Sequence, residues 1–106
     1  MPSIFDVLEE VEKRPSMYVG WSESERRLQL QNLEMFMAGY TVAVHVHGID
    51  EPVKDFLREF SRYLWVKYEW SVSCGPIAAI RDACQSDEEA WEKFWTLVRD
   101  FRASLR

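Results

Sequence analysis

The chain has 106 residues, nearly half of them hydrophobic, which is enough to bury a core and too apolar for a disordered tail. Its net charge of −5 argues against a general binder of phosphate backbones and favours a basic partner. Two cysteines, Cys74 and Cys84, make neither a disulfide framework nor a CxxC metal site.

In chain order, Ser3 is an N-cap with Asp6 three positions on, and Ile4, Val7, Leu8 and Val11 follow at helical spacing. Acidic residues lead and Lys13-Arg14 close this first helix, as the helix dipole prefers, and Pro15 ends it by excluding Arg14 from helical backbone. The acidic residues Asp6, Glu9, Glu10 and Glu12 are unlike the basic start of a signal peptide. No apolar run approaches the roughly 20 residues that cross a bilayer. A cytoplasmic protein is expected, with no membrane partner.

A second helix starts near Ser24 and carries the stripe Leu30, Leu33, Phe36, Met37 and Tyr40. Its end has two readings. Val42, Val44 and Val46 alternate with Thr41, Ala43, His45 and His47, as in a short strand; equally, the helix continues to His47 and stops at Gly48. Asp50 is read as the cap of a third helix, with Pro52 in its first turn and Val53, Phe56, Leu57, Phe60 and Leu64 inward, running to about Trp65. Tyr68, Trp70 and Val72 alternate like a strand within a segment otherwise read as loop. Pro76 starts a short helix. Ser86 and Glu89 form a capping box for the last one, whose inner face is Trp91, Phe94, Trp95, Val98 and Phe101. The expected fold is all-α, one compact domain over residues 1–106 with four to five helices; the alternative is α+β, with short strands near 41–47 and 67–73.

The segment KRPSMYVGW, residues 13–21, holds the clearest motif. Read physically, Pro15 stops a helix, Met17 and Tyr18 return apolar surface to the core, and Gly20 permits a turn. Arg14 is either a helix-end charge or a surface contact. Locally the segment resembles the start of the ATPase domain of type II topoisomerases. That resemblance implies a following helix with a Glu base and a magnesium-binding Asn, then a glycine-rich lid. Here Gln31, Asn32 and Glu34 come in the wrong order and only four glycines exist, none in a GxG pattern, so no nucleotide cofactor is expected.

A second resemblance spans most of the chain. Arg14, Pro15, Met17, Tyr18 and Gly20, then Leu33, Phe36, Gly39 and Tyr40, then DEEAWEKFWTLVRDF, are similar to the pattern of small bacterial immunity proteins. Those are encoded beside polymorphic or contact-dependent growth-inhibition toxins. The resemblance implies a protein that binds and blocks one cognate toxin, without catalysis, cofactor or nucleic-acid partner, and it transfers no residue-level site.

From the residues themselves, an acidic docking patch would be Asp87, Glu88 and Glu92 at the start of the last helix, facing a basic groove on a toxin, with Arg14 as a further contact. Dipole stabilisation and solvation account for the same carboxylates equally well. His45 and His47 share a face only on a strand and have no third ligand, so no metal site is expected. An enzyme using His45, His47 or Cys84 has no supporting constellation. Five Trp are many for one small core; most are expected inside, and those left outside would serve an interface, including self-association of a small adaptor domain.

Overall fold

A computed structural model describes residues 3–105. Among the described residues the chain is all-α, with no strand: α1 (Ile4–Lys13), α2 (Pro15–Val19), a single 3-10 turn (Glu23–Glu25), α3 (Arg26–Val46), α4 (Phe56–Tyr68), α5 (Pro76–Ala83) and α6 (Asp87–Ser104). They group into two units, one reaching to Phe56 and the other beginning at Leu57.

In the first unit the Ser3 cap is complete. Its Oγ accepts the Phe5 N–H at 3.2 Å, and its own N–H donates to Asp6 Oδ2 at 2.8 Å. Ile4, Phe5, Leu8 and Val11 are buried at helical spacing. Arg14 leaves helical backbone (φ −134°, ψ 62°), as a residue before proline tends to. Pro15 then starts a new helix, α2, at the position where its missing N–H costs nothing. This sixth helix replaces the plain turn expected there.

The strand reading of 41–47 is wrong. On a strand Val42, Val44 and Val46 would share a face; here Val44 is 3% exposed while Val42 and Val46 are 61% and 72% exposed. Successive steps of two turn the side chain by about 200°, as on a helix. α3 then closes on Gly48 at φ 60°: Gly48 N–H donates to the His45 carbonyl at 3.3 Å and Ile49 N–H to the Val44 carbonyl at 3.0 Å.

The expected helix start at Asp50 is also wrong. Residues 50–55 are irregular and α4 begins at Phe56. Glu51 and Val53 are both buried, a two-residue spacing that a helix would point in opposite directions. Glu51 is held by a polar contact with α1 described below. Phe5 and Phe56 meet edge-on, ring centroids 5.7 Å apart.

In the second unit α4 runs three residues beyond the expected Trp65, to Tyr68, and the strand reading of 67–73 fails. Glu69 takes a left-handed backbone (φ 58°) that ends α4, and Tyr68 stacks on Trp70 at 4.7 Å. α5 and α6 pack together. At the start of α6, Ser86 Oγ accepts the Glu89 N–H at 3.1 Å, while Glu89 Oε2 takes the Gln85 N–H at 3.0 Å; the capping box thus closes one residue earlier than expected. Phe60 is the centre of an aromatic cluster with Phe94 (5.9 Å), Phe101 (5.5 Å) and Tyr63 (6.5 Å).

Fewer tryptophans are inside than expected. Trp91 and Trp95 are buried and Trp70 is half-buried, but Trp21 and Trp65 are more than half exposed.

Candidate functional site

The Arg14–Trp21 segment forms a corner whose outer side is rich in groups that recognise proteins. Val19 alone of α2 is buried. Met17, two residues earlier and so on the opposite side of the helix, is 72% exposed, which corrects the expectation that it joins the core. Tyr18 is 39% exposed and meets Phe36 edge-on at 6.3 Å; Trp21 is 55% exposed. Arg14 also points outward, with Glu10 at 3.4 Å.

The inner side of the corner is fixed by polar groups of α3. Gln29 is fully buried, and its Nε2 donates to the Gly20 carbonyl at 2.9 Å while its Oε1 accepts from Arg26 at 2.7 Å. Asn32 Nδ2 donates to the Val19 carbonyl at 2.8 Å. These side chains satisfy carbonyls that the end of α2 leaves without intrahelical partners. Asn32, considered above as a magnesium ligand, is a cap of this helix end. Gly20 lies at φ 71°, ψ −171°, a region open to glycine almost alone, and Trp21 follows at φ 61°.

The start of α6 is the second candidate. Asp87, Glu88 and Glu92 fall in its first two turns. The Asp87 Oδ1 accepts a hydrogen bond from Arg81 Nε at 2.8 Å. Glu88 and Glu92, one turn apart, are exposed. Beside them a shallow cleft of about 380 Å³ is lined by Arg81, Asp82, Cys84, Gln85, Ser86 and Asp87. Burial, then the nearby Glu89 carboxylate, pushes the Cys84 thiol up, away from the thiolate that a nucleophile needs. Arg14 belongs to the first unit and the carboxylates to the second.

Sequence reasoning missed Glu51. It is 7% exposed, and its Oε1 accepts both the Ile4 N–H (2.7 Å) and the Tyr40 hydroxyl (2.9 Å). Oε2 is buried without a hydrogen-bond partner among the described residues. Burial and the hydrogen bond to Glu51 push the Tyr40 phenol up to about 12, so it stays protonated and keeps donating. Nothing local marks a lone Glu beside a proline as buried; only the shift of the helix start from 50 to 56 would have exposed it.

His45 and His47 are exposed at the end of α3, with side chains directed apart. No group of three or more His, Cys, Asp or Glu among the described residues is placed to hold a metal ion, and no described helix is long and apolar enough to cross a membrane. Comparison with protein-family models, with curated proteins and with solved structures finds no match.

Proposed function

We propose that this chain is a non-enzymatic protein-binding domain of the immunity type, which binds a cognate bacterial toxin domain and blocks it. One observation supports the protein-binding part above all. The Arg14–Trp21 corner presents Arg, Met, Tyr and Trp outward on a backbone already fixed by Gln29 and Asn32. Arg, Tyr and Trp are the side chains that dominate binding energy in interface centres. A surface of that kind loses little freedom on association. The immunity label comes from the motif pattern, and the basic character of the partner comes from the net charge of −5. Glu88 and Glu92 are the carboxylates best placed to face a basic groove, standing where phosphates of a nucleic-acid substrate would lie.

The test takes the gene immediately upstream, where the immunity reading expects a toxin C-terminal domain, and titrates that domain with the full chain. Trp21→Ala is expected to weaken binding by about 2 kcal/mol, roughly thirtyfold in Kd, with an unchanged melting temperature. Arg14→Ala should also melt with the parent, because its contact with Glu10 is exposed and such pairs contribute at most about 1 kcal/mol. No binding by the parent refutes the immunity reading; parental affinity in Trp21→Ala moves the interface elsewhere.

The acidic patch has its own test. Glu88→Lys with Glu92→Lys should slow association several-fold and flatten its salt dependence, since complementary charge acts mainly on the encounter and is screened over about 8 Å at physiological salt. The loss of a helix-start charge at Glu88 should cost less than about 1 kcal/mol of stability. Glu89 is left intact, because its carboxylate holds the Gln85 N–H. Unchanged association kinetics at low salt would make this turn a solvated helix start only.

A further inference from the structure

The second unit holds a further cleft, of about 420 Å³, between the exit of α4 and one face of α5. Glu69, Trp70 and Ser71 line it from the connection after α4. Ala79, Asp82 and Ala83 line it from α5, where residues three and four apart share a face. The wall thus combines an indole, two carboxylates and a hydroxyl with two alanines that take little room. No cation lines it. The basic residues nearest in sequence are engaged elsewhere. Lys67 donates to the Tyr63 hydroxyl at 3.1 Å and lies 5.4 Å from the Tyr63 and Tyr68 ring centroids, and Arg81 donates to Asp87. Among the described residues, neither Glu69 nor Asp82 enters an ion pair. Asp82 also borders the cleft at the start of α6, but there Arg81 supplies the balancing charge.

The indole and Glu69 are both held in place. Trp70 is half-buried, and Tyr68 stacks on it with ring centroids 4.7 Å apart and planes 20° from parallel. The Glu69 N–H closes α4 on the Trp65 carbonyl at 2.9 Å, with its own backbone at φ 58°. Glycine and asparagine are at ease at such a helix exit, and a glutamate is strained there. The chain therefore carries a carboxylate, lining the cleft, where glycine would close the helix with less strain. Backbone strain of this kind clusters at functional sites.

We propose that this cleft recognises an arginine side chain of a partner protein. A cation over an aromatic ring is attracted by the ring's quadrupole, and tryptophan gives the strongest attraction of this kind. A guanidinium is planar, stacks on an indole, and carries a rigid fork of N–H donors that two carboxylates and a serine hydroxyl can accept. The ammonium of lysine is a more strongly hydrated point charge and gains less from the same wall. The source is a protein and not a free small cation, because the turn of α4 that leads into Glu69 leaves Trp65 56% and Val66 69% exposed, apolar surface for the residues that flank the arginine. A net charge of −5 draws such a basic surface in. The site does not rest on the toxin-binding reading.

Nuclear magnetic resonance titration of the isotope-labelled full chain tests it, with an acetylated and amidated Gly-Arg-Gly peptide in which arginine carries the only charge. Saturable shifts in the millimolar range should centre on the Trp70 indole N–H and the Ser71 and Ala83 backbone N–H groups. The citrulline peptide, alike in shape and uncharged, should leave them unmoved, and the lysine peptide should bind at least about threefold more weakly. Glu69→Gln with Asp82→Asn should weaken the arginine peptide at least about tenfold, and Trp70→Leu about as much. Glu69→Gly should weaken it several-fold yet melt at or above the parent temperature, because glycine accepts φ 58°. Leu-Arg-Leu should bind more tightly than Gly-Arg-Gly, and Trp65→Ala should erase that difference. The absence of a saturable shift at Trp70 overturns the proposal, as does a citrulline peptide that binds equally or undiminished binding after Glu69→Gln with Asp82→Asn. Equal binding of the lysine peptide overturns the choice of arginine. Free arginine amide that binds as tightly as Leu-Arg-Leu makes the ligand a small molecule and overturns the protein partner.

Discussion

Phe94→Ala is expected to remove about 3–5 kcal/mol of stability, the usual effect of emptying a fully buried aromatic site. Phe94 has no exposed surface, and it meets Phe60 edge-on at 5.9 Å and Trp95 at 4.8 Å. Both neighbours are themselves buried. The hole left by the ring is therefore walled by side chains that cannot move in without vacating their own places. Urea denaturation monitored by far-ultraviolet circular dichroism would read the loss. A useful contrast is Phe36, which lies on the apolar stripe of the same sequence pattern. It is half-buried and has Tyr18 at its edge, so Phe36→Ala should cost clearly less than Phe94→Ala. If Phe94→Ala melts with the parent, or the two losses are equal, the assignment of the core is wrong.

Gly20→Val carries the second large effect. At φ 71°, ψ −171° a β-branched side chain collides with its own backbone, and occupying such a region costs of order 1–3 kcal/mol. A Cβ at Gly20 meets no other atom within 4 Å, so the loss comes from the dihedral angles and not from crowding. Gly20→Ala should for that reason lose a large share of what Gly20→Val loses. The loss should show as a lower midpoint in both thermal and urea unfolding. A valine variant as stable as the parent would mean that the backbone relaxes out of this region, together with the Gln29 hydrogen bond that holds it.

What was legible in the sequence divides along a physical line. Features set by local chemistry could be read: the Ser3 and Ser86 caps, the stop at Arg14–Pro15, and the inner face of α6. Each depends on a few neighbouring residues and on a period that a helix imposes. Features set by distant partners could not. The segment from Asp50 to Asp55 has a respectable cap and a proline where a helix would begin, yet Glu51 is drawn to the N-terminus of α1, forty-seven positions away. Apolarity alone also misled at Met17, which reads as a turn residue returning to the core; the segment is instead the short helix α2, whose orientation is decided by what packs on it, here Val19 inward.

The candidate sites follow the same division. Glu88 and Glu92 emerge exposed at a helix start, as their position in the sequence implies; the hydrogen bond from Arg81 of α5 to Asp87 is a contact that the sequence did not show. The outward display of Met17, Tyr18 and Trp21 needed the three-dimensional arrangement. Along α3 apolar residues occur on nearly opposite sides, so the sequence shows that the helix is apolar without showing which side is covered.

The Glu51 contact has a consequence for the lifetime of the chain among proteases. Residues 47–50 and 52 are exposed and non-helical, the kind of stretch in which nicking concentrates. A protease must draw such a stretch out into its own cleft, and Glu51 and Val53 anchor this one to the interior. Pulling it free would separate the carboxylate from both the Ile4 N–H and the Tyr40 hydroxyl, opening the first turn of α1 at the same moment. Where opening and closing are fast relative to cleavage, cutting of these peptide bonds is therefore expected to follow the population in which the first unit is open, so that the persistence of the intact chain would read out that opening equilibrium.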